Sequence, residues 1–223
     1  MSGTDSPTPY QPTERTTLTR ASARGSYDRP VVHAILDEGY VCHLGFVRDG
    51  APVVLPTLYA RVGERLYVHG STGSRPLRMA GQAEPGLPVC LTVTHVDGLV
   101  LARSAFHHSI NYRSVVVHGL AHQVIDQGER AEALDALVEH VVPGRAADSR
   151  RANAKELAAT AVLSIDLAEV SAKVRDGGPN DEPEDMDLPH WAGVVPVSRR
   201  RGAPVPSDGL TPGIALPEYL CAL

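Results

Sequence analysis

Aromatic residues are scarce in this chain of 223 residues: they make up 4%, with one Trp (Trp191) and two Phe. That is a poor stock for a protein that stacks nucleobases on ring platforms. Positive charge is also in short supply, with 21 Lys and Arg against 26 Asp and Glu and a net charge of −5. The basic face that nucleic acid demands is therefore not expected. No apolar run approaches the roughly 18 residues of a membrane-spanning helix. The opening segment MSGTDSPTPYQPTERTT has no apolar stretch, so a secretory leader is not expected either. Cysteine is limited to Cys42, Cys90 and Cys221, odd in number and far apart. They form neither a disulfide framework nor a CxxC site, and they read as the reduced thiols of a cytoplasmic protein. No GK[ST] loop, no G-x-G-x-x-G after a strand and no G-x-S-x-G elbow is present, which argues against P-loop, Rossmann and α/β-hydrolase sites.

What the chain does contain is unevenly spread. Much of its proline lies at the two ends, and residues 1–24, with Pro7, Pro9 and Pro12, read as a flexible arm. Asp28 then suits a helix cap, Pro30 a first turn, and Val31, Val32, Ile35 and Leu36 one apolar stripe, which predicts a helix over 29–38 stopped by a left-handed Gly39. Strands are predicted at 40–47, 51–60 and 65–70, joined by turns at Arg48-Asp49-Gly50 and Gly63. A loop and short helix fill 71–82. A strand over 87–96 is predicted to turn at Asp97-Gly98 into 99–104, and 111–125 reads as a long strand bulged at Gly119. Asp126 and Glu129 resemble a capping box for a helix carrying Leu134, Leu137, Val138 and Val141, ended by Pro143-Gly144. A second helix near 150–160 and a last strand over 162–167 complete the pattern. The turn spacing predicts a small antiparallel barrel with appended helices. From Asp176 the chain turns acidic and rich in Pro and Gly.

Three segments have chemical potential. HGSTGSR, from His69 to Arg75, sits between a strand and a helix, where small residues, hydroxyls, a guanidinium and a helix N-terminus form a phosphate cradle. VVLPTLY, residues 53–59, is an apolar strand broken by Pro56 and Thr57, able to present backbone groups to a flat ring. FHHSINYRSVVVHG, residues 106–119, gathers polar groups before an apolar strand. His118 and His122 are too far apart on a strand, about 13 Å, to share one ion, and no metal site is expected. Each segment alone also reads as ordinary structure: a polar loop, a strand with an edge proline, a polar strand entry.

Taken in order, however, DGAPVVLPTLYARVGERLYVHGSTGSRPL (49–77) and NYRSVVVHGLA (111–121) resemble the pyridoxamine 5′-phosphate oxidase-like flavoproteins. The closer likeness is to their flavin-nucleotide-binding, nitroimidazole-resistance-like branch. It spans about 25–175 and extends to LPHWAGVVPV (188–197). The resemblance implies a mainly β fold, a six-stranded antiparallel split barrel of FMN-binding type, and a homodimer with FMN at the subunit interface. It implies that Val54, Leu55, Pro56, Thr57, Leu58 and Tyr59 lie along the flavin ring. His69, Gly70, Ser71, Ser74 and Arg75 would hold the ribityl phosphate, with Asn111 and Ser114 reaching the flavin from the long strand. Where the oxidases carry further basic residues, this chain has Val54 and Pro76, and the C-terminus lacks their Arg/His segment. Oxidation of vitamin B6 is therefore not expected.

The expected function is an FMN-dependent oxidoreductase or flavin reductase acting on a small electrophile, with no catalytic acid or base assigned. Three alternatives stay open: a flavin carrier or sensor without turnover, a haem-binding split barrel suggested by ten His, and a deazaflavin user. The tail around 186–200, with the lone Trp, is expected to pack on the barrel over the flavin pocket.

Overall fold

The computed structural model describes residues 8–221. Its elements are β1 (Gly25–Ser26), α1 (Arg29–Glu38), β2 (Val41–Arg48), β3 (Ala51–Val62), β4 (Arg65–Ser71), α2 (Arg75–Gln82), β5 (Leu87–Leu101), β6 (Ser109–Gln123), α3 (Gln127–Val141), α4 (Ala154–Ala159), β7 (Thr160–Asp166), β8 (Glu169–Arg175), β9 (Gly193–Pro196) and α5 (Glu218–Cys221). The first hairpin shows why the sequence folds this way. Asp49 and Gly50 take φ of 51° and 79°, the two left-handed residues of a type I′ turn, and Arg48 then pairs directly with Ala51. Side chains alternate from there: Cys42, Leu44 and Phe46 point into the core, while Val41 and Val47 face out.

All nine strands belong to one sheet, and the extra pairing of β5 with β6 closes six of them into a ring, β2-β3-β4-β7-β6-β5. This is the six-stranded antiparallel barrel with appended helices. α1 plugs it with Val32, Ile35 and Leu36, all buried among Leu91, Val93 and Val115 of the wall. Closure pairs the ring strands with one another, except along β3 before Tyr59, which β4 does not reach.

Several local expectations give way to tertiary context. Gly39 ends α1 in extended backbone, φ −91°, not left-handed. Its value is space, since a Cβ there would come within 3.0 Å of both His95 and Val93. Asp97-Gly98 is not a hairpin turn. β5 runs unbroken through it, with a bulge between Val96 and Gly98, because β6 pairs with both halves. Gly119 is not bulged but pairs in register with Val89. Asp126 accepts a hydrogen bond from the Glu129 amide at 2.8 Å, yet the Glu129 carboxylate serves Tyr67 and Arg65 in place of a reciprocal cap. The complete capping box is Asn153 with Glu156, opening an α4 shorter than the predicted helix. β7 is not the last strand, since β8 follows and pairs with β6, and β9 pairs with β5.

Residues 8–24, expected as a flexible arm, lie against the barrel. Tyr10 is 3% exposed and donates a hydrogen bond to Glu64, and Arg15 forks onto Glu169. Residues 1–7 of that arm lie outside the described residues.

A guanidinium clamps the barrel mouth. Arg113 on β6 donates to Glu38 at the end of α1 (2.8 Å) and to both oxygens of Asp97 in the bulge (2.8 and 2.9 Å). These bonds hold the Glu38 and Asp97 carboxyls below the ordinary carboxylate range. Folded values below unfolded ones mean that the stabilisation is present above about pH 4 and lost as pH falls through the lowered values. Thermal midpoints measured from pH 6 downward are expected to fall more steeply for the native chain than for Arg113→Gln. Parallel curves would show that the clamp contributes nothing.

Candidate functional site

β4 pairs with β3 only along Tyr59–Val62, so residues 51–58 of β3 have β2 on one side and no strand partner on the other. Pro56 sits on this unpaired stretch, where a missing N–H costs nothing. The outer face here is apolar and uncovered among the described residues: Val54 is 62% exposed and Val47 59%, with Val41 and Leu58 beside them. Tyr59 is different. It points inward, fully buried, and its hydroxyl donates to the Leu36 carbonyl at 2.5 Å. Burial pushes its phenol well above the ordinary range.

At the far end of β4 the chain turns through Thr72 and Gly73 into α2. Thr72 donates to the Ala159 carbonyl and Ser74 to the Ser71 carbonyl, while the Ser71 hydroxyl accepts from Gly73. Ser74 occupies the N-cap position, but its hydroxyl makes no capping bond. Arg75 follows, exposed and without a hydrogen bond or ion pair among the described residues. A hydroxyl, a helix N-terminus and an unengaged guanidinium thus follow one another at the turn where the sequence pattern predicts an anion. Gly70 keeps this turn tight, since a Cβ would meet Leu77 at 3.0 Å.

His69 points elsewhere. It lines a cleft of about 560 Å³ between β3–β4 and α3, together with Leu58 and the α3 residues Leu134, Leu137, Val138 and Val141. Its Nδ1 is buried without a hydrogen-bond partner, and burial lowers the imidazole's pKa. A neutral imidazole results near pH 7. The sequence pattern places Leu134, Leu137, Val138 and Val141 on one apolar face of α3. The structure leaves Val138 of that face 40% exposed, so the stripe is wider than what packs on it.

Asn111 and Ser114 are not brought to Arg75 within the chain. Asn111 bonds to Arg175 and to the Gly177 carbonyl, and Ser114 donates to the Lys173 carbonyl at 3.3 Å. On β6, Ser114 lies seven residues, roughly 23 Å at about 3.3 Å per residue, from Ala121, beyond which β6 approaches the β4–β7 end. β9 pairs with Gly98–Leu101 of β5, also at the Asn111 end, and Trp191 just before it is 66% exposed. A second, larger cavity of about 800 Å³ lies between His95 and Arg199–Arg201. There both ring nitrogens of His95 are used: Nδ1 accepts from Arg199 at 2.8 Å and Nε2–H donates to the Ile35 carbonyl at 2.9 Å. The acids Glu38 and Asp97 in its wall already face Arg113. The buried Cys42 thiol is pushed up to about 12 by burial and is inert. No helix among the described residues is long and apolar enough to cross a membrane.

This barrel defines a split-barrel class, and the comparisons agree on the fold. The family described as pyridoxamine 5′-phosphate oxidase matches residues 28–174, and the chain belongs to it. Among solved structures, the flavocytochrome Anf3 of Azotobacter vinelandii is 39% identical, with 96% of this chain and 98% of that one covered and a TM-score of 0.89. The FAD and heme binding protein of Mycobacterium smegmatis is 37% identical, covering 89% and 96%, at a TM-score of 0.84. A candidate 5-nitroimidazole antibiotic resistance protein of Bacteroides thetaiotaomicron, 19% identical over 67% and 86% with a TM-score of 0.54, shares the fold. Among curated proteins none matches the sequence.

Proposed function

We propose that the chain is a homodimeric flavin- and haem-binding oxidoreductase. The observation that carries the reading is its likeness, along nearly its whole length, to a protein named as a flavocytochrome and another named for FAD and heme. The flavin is taken as FAD, the form in the second name, in place of the FMN expected from the sequence. A bound flavin supplies hydride and single-electron transfer, and a haem supplies single-electron and oxygen chemistry.

The chain's own residues fit these tasks. The Ser74 hydroxyl and the Arg75 guanidinium bind the flavin phosphate, and the outward face of β3 from Val54 to Leu58 supports the ring. That ring needs a second wall, and a second copy supplies it. The exposed ribbon of Val41, Val47, Val54 and Leu58 is the face a dimer would cover. Dimerisation also brings Asn111 and Ser114 of one copy toward the anion turn of the other, which no single chain does. With Cys42, Cys90 and Cys221 all free thiols, the reading places the protein in the reducing cytoplasm. Its electron acceptor is a small electrophile such as a nitro compound or quinone, with reduced nicotinamide as the donor.

The purified protein is expected to show both a flavin band and a Soret band, to elute as a dimer, and to be bleached by NADH or NADPH. Chromatography of the released flavin identifies FAD or FMN. A chain that takes up neither flavin would overturn the reading, and one that binds flavin without any turnover is a carrier. Val54→Arg is expected to keep the fold and shift the dimer toward monomer with loss of flavin. An intact dimer would put the interface elsewhere.

A further inference from the structure

We propose that the α3 cleft is the haem pocket and that His69 would hold the iron, an assignment that rests on the haem half of the function proposed above.

The cleft has the three features a haem site requires. First, its walls are apolar. Leu58 of β3 faces Leu134, Val138 and Val141 of α3, spaced at one helical face, and the volume of about 560 Å³ is that of a pocket for a sizeable flat ligand. Val138 stays 40% exposed there, an apolar surface that no segment of the described chain covers. Second, a single unengaged imidazole enters it. His69 stands where the β3–β4 ladder ends: Tyr59 pairs with Val68, and the next residues, Leu58 and His69, splay apart into the cleft. Among the described residues neither ring nitrogen is hydrogen-bonded, and Nδ1 is buried. A buried nitrogen without a partner is costly, and burial keeps this imidazole in the neutral form that ligates iron. Third, guanidinium groups stand at the mouth, each paired with a protein carboxylate. Arg145, Arg150 and Arg151 ring it, on the segment between α3 and α4. They pair with Asp148 (3.4 Å), Glu156 (2.7 Å) and Asp135 (3.2 Å). Such exposed pairs are worth little, so exchanging a protein carboxylate for a haem propionate costs little.

The other histidines lack this combination. His95 is buried with both nitrogens bonded, His108 accepts from the Ala102 amide, and His140 bonds the Gly39 carbonyl. The pocket is separate from the flavin phosphate residues, because Ser74 and Arg75 do not line it, and it meets the β3 ring face at Leu58. The two groups would nonetheless be close, since His69 and Ser74 are only five residues apart across the β4–α2 turn.

The test is haem titration of the full-length chain, followed by its Soret band, with flavin content measured in parallel. His69→Ala is expected to shift the Soret band and weaken haem by roughly tenfold or more, since even outer-shell losses cost roughly 10–100-fold in metal affinity. Added imidazole should restore the native spectrum, and flavin content should not change. Val138→Trp, at an exposed position, should block the cleft and lower haem stoichiometry in a folded protein with His69 intact. If the native chain binds haem and both variants keep its spectrum and affinity, the pocket is elsewhere and the broader reading survives. If His69→Ala loses flavin and keeps haem, His69 serves the flavin and the assignment fails. If the native chain takes up no haem, the haem reading itself falls and the assignment with it.

Discussion

Arg75→Ala should weaken flavin binding by about 1.5–3 kcal/mol, the scale of a hydrogen bond to a charged group, or roughly 10- to 150-fold in Kd. The effect should be confined to binding. Arg75 is exposed and has no partner among the described residues, so its removal leaves no buried group unsatisfied and the thermal midpoint of the flavin-free chain should not move. Lys at this position should restore part of the affinity, because a point charge replaces the charge but not the fork. Fluorescence titration with FAD and FMN reads the result directly. Unchanged affinity in Arg75→Ala would place the phosphate elsewhere and detach the anion turn from the flavin site.

Leu91→Ala should act in the opposite way, costing about 2–5 kcal/mol of stability while leaving the cofactor-facing residues in place. Leu91 is wholly buried in the middle of β5, the strand that pairs with both β2 and β6 and so closes the ring. Its opposite numbers are Leu44 and Val117, both buried, and a close-packed wall of this kind cannot collapse into the vacated volume. The midpoint of urea unfolding should fall, with the slope unchanged. A loss below about 1 kcal/mol would mean that the barrel repacks around the cavity.

The helices and hairpins whose signals are local were legible residue by residue. Asp49-Gly50 can hardly be anything but a tight turn, because two consecutive left-handed residues suit that dipeptide and few others. Pro30 in the first turn of α1 and Asp126 at the start of α3 are equally local, since a cap involves only its own few neighbours. Asp97-Gly98 shows the limit. The same kind of dipeptide predicts a turn there, yet β6 is long enough to pair with both halves of β5, and Arg113 takes hold of Asp97. The ladder and the clamp outweigh a turn preference worth far less. β8 is illegible for a related reason: EVSAKVR is short and carries three charged residues, and its pairing with β6 and β1 makes it a strand.

The candidate site divides along the same line. The sequence alone determined the family, the antiparallel barrel with its appended helices, and the loop of small residues, hydroxyls and Arg75 between β4 and α2, because these depend on residue type and on spacing along the chain. Only the tertiary structure decided which way His69 faces, that α3 leaves an apolar cleft beside it, and that Asn111 and Ser114 lie at the other end of β6. The physical reason is that side-chain direction in a barrel depends on register and on what packs against the wall. Both are set by strands and helices distant in sequence, where no local preference can reach.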